Sequence, residues 1–178
     1  MIKKIFQKYK MNKLLKKRFP NVIFGSNMII ESFDQIDNLN IKDYAYIGAN
    51  AIWSLRGKIS IGNNVIFGPR CILWPYNHNY NSSNFIPYGP RNEDIIKEIV
   101  IEDNVWIGMN TTILAGVKIE EGAIIASNSV VTKDVAKYAI VGGNPSRFIK
   151  NRNIEEYELL KKEGKLYLPY KVNNYNEN

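Results

Sequence analysis

A repeat of six residues is the feature that most constrains the fold of this chain. From Ile101 onward the sequence divides into the blocks IEDNVW, IGMNTT, ILAGVK, IEEGAI, IASNSV and VTKDVA, and each block opens with Ile or Val. The fifth residue of every block is small or slim: Val, Thr, Ala or Ser. A period of six fits neither an amphipathic helix nor a simple alternating strand, and the recurring glycines would weaken a helix. Short strands separated by turns are therefore predicted.

The same period extends back toward the start of the chain. Its earlier leading positions are Ile23, Ile29, Gln35, Ile41, Ile47 and Trp53 and, after two extra residues, Ile61, Phe67 and Leu73. We predict that leading residues point inward and that three blocks close one triangular coil. Coils should stack about 4.8 Å apart, which is the spacing of paired strands. The predicted coils cover residues 23–40, 41–58, 61–78, 101–118 and 119–136. The first is the least regular, as is common for a terminal repeat that caps a stack.

Three strings in the repeat region are specific to one family. They are NVWIG (104–108), IIASNSVVTKDV (124–135) and VGGNPSRFIK (141–150). With them, residues 41–150 closely resemble the left-handed β-helix acetyltransferases, especially the sugar O-acetyltransferase branch of maltose, galactoside and capsule or lipopolysaccharide enzymes. The resemblance implies an all-β fold, a single-stranded left-handed parallel β-helix of about five coils. The handedness comes from the resemblance alone, because general crossover rules favour a right-handed path.

The chain divides into three parts. Residues 1–22 form a basic amphipathic segment, residues 23–150 form the β-helix domain with an extended loop at 79–98, and residues 151–178 form a C-terminal helix and tail. Loops of this length inside a compact domain are usually functional or disordered. The aromatic residues and prolines of this loop favour an ordered flap.

Short helices are predicted on either side of the repeat. Two apolar stripes lie out of phase within residues 2–18, so a break is expected near residues 10–12. The stripes are Ile2, Ile5, Phe6 and Tyr9, then Met11, Leu14, Leu15 and Phe19. Asn153 with Glu156 resembles an N-cap pair, and Gly164 should end the C-terminal helix. Residues 165–178 are expected to be a tail that packs or frays.

Charge and composition limit the function classes. The net charge is +7, and the first 30 residues hold seven lysines and Arg18 but no acid. This balance suits an anionic membrane surface or a phosphate-bearing cofactor, and equally a solvated surface. A nucleic-acid partner is not expected, because no recognised binding motif is present. The chain lacks a span of about 18 apolar residues, and its single cysteine, Cys71, favours a reducing compartment. We expect a cytoplasmic protein, with peripheral contact at the inner membrane face as a further hypothesis.

His78 is the single histidine of the chain, and it stands where the period breaks before the long loop. In similar acetyltransferases the catalytic histidine occupies this place, so the resemblance implies that His78 is the general base. A base with a pKa near 6.5 suits removal of a proton from a sugar hydroxyl. Its orienting group is left open among Tyr76, Asn77, Asn79 and a backbone carbonyl. Cys71 is interpreted as a small buried hydrophobe, so direct attack is expected without an acyl-enzyme.

The resemblance also implies a binding path for acetyl-CoA as co-substrate, with no metal. The residues implied are Met109 beside the thioester, Ser127 at the pantetheine arm, Thr132 and Lys133 near the nucleotide, and Arg147 and Lys150 at the phosphates. Cations and hydroxyls suit phosphate oxygens. Acceptor contacts do not transfer from relatives, and Asn50, Tyr76 and Asn77 are the candidates. Trp106 either lines the acyl pocket or packs against a neighbouring subunit.

These residues predict transfer of an acetyl group to a hydroxyl of a sugar or polysaccharide precursor. The alternatives are an N-acetyltransferase acting on an amino sugar and a non-enzymatic β-helix scaffold. A zinc carbonic anhydrase of this fold needs three histidine ligands, and the chain has one. Serine acetyltransferases carry a large N-terminal helical domain, whereas 22 residues precede the repeat here. A homotrimer with shared active sites is expected, because outward residues such as Trp74, Trp106 and Ile124 need cover.

Overall fold

The chain forms a stack of short parallel strands between helices. The computed structural model describes residues 2–174, and it describes side chains for residues 10–172. Two 3-10 turns lie at Phe33–Asn38 and Arg91–Glu93. The helices and strands, in chain order, are α1 (Ile2–Arg18), β1 (Ile23–Phe24), β2 (Ile29–Glu31), β3 (Leu39–Ile41), β4 (Tyr46–Ile47), β5 (Ile52–Ser54), β6 (Ile59–Ile61), β7 (Ile66–Phe67), β8 (Ile72–Trp74), β9 (Tyr76–Asn77), β10 (Ile95–Ile96), β11 (Ile99–Ile101), β12 (Trp106–Ile107), β13 (Thr112–Leu114), β14 (Lys118–Ile119), β15 (Ile124–Ile125), β16 (Val130–Val131), β17 (Ala139–Gly142), β18 (Arg147–Asn151), α2 (Ile154–Lys162) and α3 (Tyr167–Asn174).

Three parallel sheets make the faces of the β-helix. Face A contains β1, β4, β7, β12, β15 and β17, face B contains β2, β5, β8, β13 and β16, and face C contains β3, β6, β11 and β14. We name the turns between them the AB, BC and CA corners and count coils from each strand of face A. The described chain thus makes five coils, with Val135 bridging to Ile119 in the fifth, and begins a sixth at β17. This confirms the predicted all-β parallel β-helix, with slightly more than the five coils expected.

Asparagines at the corners explain why short strands can turn so sharply. Asn50, Asn110 and Asn128 at the AB corner all have φ between 57° and 60°, a left-handed conformation that asparagine tolerates better than most residues. The side-chain amide of Asn110 donates to Asn128 Oδ1 at 2.7 Å, and Asn64 donates likewise to Asn104 at the CA corner. The Asn64–Asn104 pair thus joins the start of coil three to that of coil four, and the Asn110–Asn128 pair joins coil four to coil five.

The predicted inward positions are buried from the second coil onward, but the prediction for the first coil was wrong by one residue. Phe24 pairs with Ile47 and Ile30 pairs with Trp53, so these residues point inward. Ile29, a predicted leading residue, is 58% exposed. A slip of one residue turns every side chain of a strand to the opposite face. Gln35, the polar leading position, lies exposed in the 3-10 turn that replaces a flat strand.

Helix α1 caps the first coil. It runs unbroken from Ile2 to Arg18, so the predicted break near residues 10–12 was wrong. Leu15 and Phe19 are buried against the core, whereas Leu14 is exposed. The first predicted stripe, over residues 2–9, lies outside the described side chains. None of the helices within residues 2–174 is long and apolar enough to cross a membrane.

The C-terminal segment packs along the CA corner. Helix α2 begins after Asn153, whose side chain accepts a hydrogen bond from the Glu156 amide, as predicted. Tyr157 is buried and donates its hydroxyl to Glu121 Oε1 at 2.9 Å. Residues 167–174, expected to be part of a tail, form helix α3 instead. Leu168 explains the difference, because it is buried and its amide donates to Asn64 Oδ1.

Candidate active site

The long loop leaves and rejoins the stack through a small antiparallel ladder. Strand β9 pairs with β10, so that Tyr76 lies opposite Ile96 and Asn77 opposite Ile95. The next pair in this register joins His78 to Asp94. The loop is closed by hydrogen bonds that include Gly89 N–H to the carbonyl of Asn79 at 2.9 Å. The ladder therefore sets the geometry of His78 from both ends of the loop.

Asp94 holds the imidazole of His78 in one orientation. Its Oδ1 lies 2.9 Å from His78 Nδ1, and its Oδ2 lies 2.6 Å from the guanidinium of Arg56. The Asp94 side chain is fully buried. Burial by itself would raise the pKa of this carboxyl, but the hydrogen bonds from His78 and Arg56 and the charge of Arg56 outweigh it and hold the pKa below its usual value. Asp94 is therefore an ionised acceptor near neutral pH.

The state of Asp94 fixes the tautomer of His78. An ionised carboxylate can only accept, so the Nδ1–H of His78 must donate to it. In the neutral imidazole, Nε2 then carries the lone pair and is the basic nitrogen. This is the arrangement in which a histidine accepts a proton at Nε2 while its partner stabilises the resulting charge.

Aromatic rings frame the same group. The Tyr88 ring, from the loop, stacks on the imidazole with centroids 4.1 Å apart and planes at 7°. The Tyr76 ring meets the imidazole edge-on, with the two ring centroids 6.0 Å apart. The Arg56 guanidinium lies 4.0 Å from the centroid of the Tyr76 ring. Arg56 belongs to the BC corner of coil two. The next residue, Gly57, lets the backbone of coil two lie close to Pro75 of coil three, because a Cβ at Gly57 would lie 2.8 Å from the Pro75 carbonyl oxygen.

The sequence prediction located the histidine but missed the groups that orient it. Asp94, Arg56 and Tyr88 were not predicted, and Asp94 takes the place of the four candidates named for this role. Asn77 instead accepts the backbone N–H of His78 at 2.9 Å through Oδ1. Tyr76, a candidate for the acceptor, is 8% exposed, so its packing favours support of His78 and Arg56 over contact with a substrate. The sequence did offer one signal for the orienting group, because an acidic residue, Asp94, stands directly before Ile95 and Ile96.

Met109 and Ser127 lie in one row along the AB corner, and Asn50 lies in the adjacent row of the same corner. Backbone hydrogen bonds connect successive coils there: Asn128 N–H donates to the Met109 carbonyl at 2.9 Å, and Asn50 N–H to the Ser26 carbonyl at 2.8 Å. Small residues bring the coils close, since a Cβ on Gly108 would lie 2.5 Å from the Ser127 nitrogen. Asn50, Met109 and Ser127 are all exposed. The corner therefore offers an accessible edge of backbone along the stack axis.

The predicted phosphate contacts are divided among three places. Thr132 and Lys133 follow β16 at the BC corner, across face B from Ser127. Arg147 begins β18 next to Ser146, whose N–H donates to the carbonyl of Val130 in β16. Lys150 lies farther along β18, opposite Ile140 on face A. The structure thus groups Arg147 with the AB corner and separates Lys150 from it.

Cys71 is a core residue of the AB corner. It is fully buried, and its thiol donates to the Gly108 carbonyl at 3.3 Å. Burial raises the pKa of the thiol to about 11, although a backbone hydrogen bond opposes the shift. A buried thiol with so high a pKa is a poor nucleophile, which agrees with the packing interpretation.

Comparison with known proteins agrees with this geometry. Residues 98–133 match the family model described as bacterial transferase hexapeptide (six repeats). A galactoside O-acetyltransferase from Lactococcus lactis is 30% identical, over 84% of this chain and 72% of its own length. A chloramphenicol acetyltransferase from Klebsiella aerogenes is 33% identical over 69% of this chain and 56% of its own length. The chain spans about half the length, or less, of several such curated relatives.

Solved structures give the same result. A hexapeptide-repeat acetyltransferase from Vibrio cholerae, complexed with acetyl coenzyme A, superposes with a TM-score of 0.65 at 30% identity, covering 81% of this chain and 77% of its own. A galactoside acetyltransferase in complex with coenzyme A gives 0.64 at 25% identity, covering 82% and 72%. On the repeat, the fold and these matches together, the chain belongs to the hexapeptide-repeat acetyltransferase family.

Proposed function

We propose that this protein transfers an acetyl group from acetyl-CoA to a hydroxyl of a sugar or polysaccharide precursor. The observation that carries the proposal is the His78–Asp94 pair at the foot of the loop, 2.9 Å apart, on a β-helix of this family. The names of similar proteins support the substrates, since they include a galactoside O-acetyltransferase and a structure complexed with acetyl coenzyme A. A scaffold role would not require a buried carboxylate that prepares a histidine.

In this reaction His78 acts on the acceptor. Acetyl-CoA supplies an acetyl thioester as the electrophile. Nε2 of His78 takes the proton of the acceptor hydroxyl while the hydroxyl oxygen forms the new bond to carbon. Asp94 stabilises the imidazolium through Nδ1–H, and Arg56 keeps Asp94 ionised and in place. The imidazolium then returns the proton to the departing thiolate, so that neither charge nor proton is lost.

The residues along the AB corner suit the coenzyme. An exposed backbone edge with small side chains, as at Ser127, lets amide groups of a narrow arm approach closely. Lys133, Arg147 and Lys150 are exposed, and within residues 10–172 none of the ion pairs involves them. Free cations of this kind bind phosphate oxygens. We assign Met109 to the thioester end and Ser127 to the pantetheine arm. We assign Thr132 and Lys133 to the nucleotide, Arg147 and Lys150 to the phosphates, and Asn50 and Asn77 to the acceptor.

A homotrimer with shared sites is part of the proposal. The outward row of face A is apolar or aromatic along its length: Ile23, Tyr46, Ile66, Trp106, Ile124 and Ile140. Trp106 is 54% exposed, and Ile86 at the loop tip is 96% exposed. Apolar surface of this extent marks interfaces. Face C differs, because it carries ion pairs such as Lys118–Glu102 at 2.8 Å.

Replacing His78 should stop the chemistry and leave coenzyme binding intact. We expect His78→Ala to lower kcat by roughly 10²- to 10⁴-fold, the usual contribution of a positioned base, with little change in the Kd for acetyl-CoA. Thiol release from acetyl-CoA in the presence of an accepted sugar measures it. Cys71→Ala is the matched control and should keep most activity. Near wild-type turnover by His78→Ala would remove this residue from the mechanism.

Replacing Arg56 should move the acid limb of the pH profile. In Arg56→Met, Asp94 loses the hydrogen bond and the positive charge of Arg56, which lower its pKa. The pKa of Asp94 therefore rises. Asp94 orients His78 only above its pKa, and this contribution is lost as the pH falls. Protonation of Asp94 then adds to protonation of the base His78 as the pH falls, so kcat/KM should decline from a higher pH and more steeply than in the wild type. At neutral pH, kcat should fall roughly tenfold because the imidazole is less well positioned. Arg56→Lys retains the positive charge, so it should keep part of the wild-type kcat and change the acid limb less than Arg56→Met does. An unchanged acid limb would contradict the role of Arg56.

The shared site is tested by mixing two defective chains. Light scattering should give about three times the chain mass of 20.5 kDa. His78→Ala and Ser127→Trp chains should each be inactive, and mixed trimers should recover part of the activity, because His78 of one chain faces the coenzyme cleft of the next. An active monomer would contradict the proposal. A trimer without recovery would assign each site to one chain.

Peripheral contact with an anionic membrane is a separate proposal for the first 18 residues. It is supported by the eight basic residues within the acid-free first 30. The burial of Leu15 and Phe19 favours a capping role for the apolar side of α1, so attraction would rest mainly on charge. We expect sedimentation with phosphatidylglycerol vesicles at low salt and release at about 0.5 M salt, where screening is strong. No sedimentation at low salt would end this proposal.

A further inference from the structure

A cavity of about 600 Å³ lies between α1 and the first coil. Asn12, Lys13, Leu15 and Lys16 line it from the helix, and residues 24–26 line it from the first coil. The volume is within the range of small-molecule sites. Its wall combines apolar side chains with lysine, amide and hydroxyl groups, which is the composition expected for a ligand that is partly polar and partly charged.

The charge of this cavity has one sign. Lys13 and Lys16 are three residues apart on α1 and both are exposed. Among residues 10–172, none of the ion pairs involves either lysine, whereas Arg18 on the same helix pairs with Asp37 at 2.7 Å. None of the residues that line the cavity is acidic. The cavity therefore favours an anion.

The position of the cavity relates it to the proposed reaction. Ser26 in its wall accepts the Asn50 amide at 2.8 Å, and the ladder of the AB corner continues from there through Arg70 and Asn110 to the coil of Met109. Met109 is in coil four and Ser26 is in coil one. Three steps of about 4.8 Å place the cavity about 14 Å from the thioester end of the coenzyme path. It lies on the side away from Ser127 and Arg147 and next to Asn50, which we assign to the acceptor.

We propose that this cavity binds the anionic group of an acidic sugar acceptor, a carboxylate or a phosphate one or two sugar units from the acetylated hydroxyl. This inference rests on the proposed acetyl transfer, and it adds the class of acceptor. Lys13 and Lys16 bind the anion through charge-assisted hydrogen bonds. Asn12 and Ser26 bind neighbouring hydroxyls.

The test compares acceptors that differ in a single charge. The full-length chain is assayed with a glucose-terminated disaccharide, its glucuronate-terminated counterpart and a glucose 1-phosphate-terminated counterpart. Binding of each is also followed by chemical-shift changes at the Gly25 and Ser26 amides, which needs no turnover. We expect one acidic acceptor to bind and react with a KM roughly tenfold below that of the neutral one, and the one preferred distinguishes carboxylate from phosphate. Lys13→Gln/Lys16→Gln should abolish the preference with an unchanged KM for acetyl-CoA.

Lys17→Gln is the matched control, because Lys17 is an exposed lysine of the same helix that does not line the cavity. It should keep the preference. Equal KM values for acidic and neutral acceptors, or an equal loss for Lys17→Gln, would overturn the inference. So would binding to phosphatidylglycerol vesicles that depends on Lys13 and Lys16 without any preference among sugars. Acidic sugars that bind through the two lysines but are never acetylated would support the cavity and overturn the acetyl transfer. Equal acetylation of acidic and neutral acceptors would support the acetyl transfer and overturn the proposed anion site.

Discussion

Hydrogen bonding between successive coils is the constraint on which both the core and the site depend. Each strand of faces A, B and C pairs in parallel with its counterpart one coil away, so Ile47 lies between Phe24 and Phe67, and the same holds around the stack. Because the side chains of a strand alternate, this pairing decides which residues are buried. The core is then a set of rows along the axis, and the corners become rows as well. A functional residue at a corner therefore has a defined neighbour in the coil above and the coil below.

The same stacking fixes both ends of the long loop that interrupts the third coil. After twenty residues of loop the chain returns in register, with Ile99 over Ile59. The two ends of the loop are thus fixed, and the β9–β10 ladder brings Asp94 to His78. Burial of a lone carboxylate is unfavourable, and Arg56 from the coil before offsets it with a contact of 2.6 Å. The oriented histidine is a product of two coils and both ends of the loop.

The sequence predicted what depends on local pattern. The period of six identified the β-helix, the inward rows from coil two onward and His78 at the loop, and Asn153 identified the start of α2. The prediction from sequence failed where a contact between residues far apart in the chain determines the local structure. The register of the first coil depends on how Phe24 meets Ile47, helix α3 depends on the burial of Leu168, and the role of Asp94 depends on a pairing across 16 residues. The coenzyme and acceptor residues remain predictions, because contacts to a ligand are not fixed by a repeat.

The division of site residues between two corners bears on how the proposed reaction is assembled. His78 lies at the BC corner side of coil three, whereas Met109 and Ser127 lie on the AB corner. Face B separates the corners by a strand of three residues, β13, or about 10 Å. The rigid stack cannot close that gap by bending, since its strands are paired on both sides. The thioester must therefore either cross face B within one chain or meet the histidine of another. The apolar outward row of face A, in which Trp106 is exposed, and the apolar loop tip favour the second arrangement.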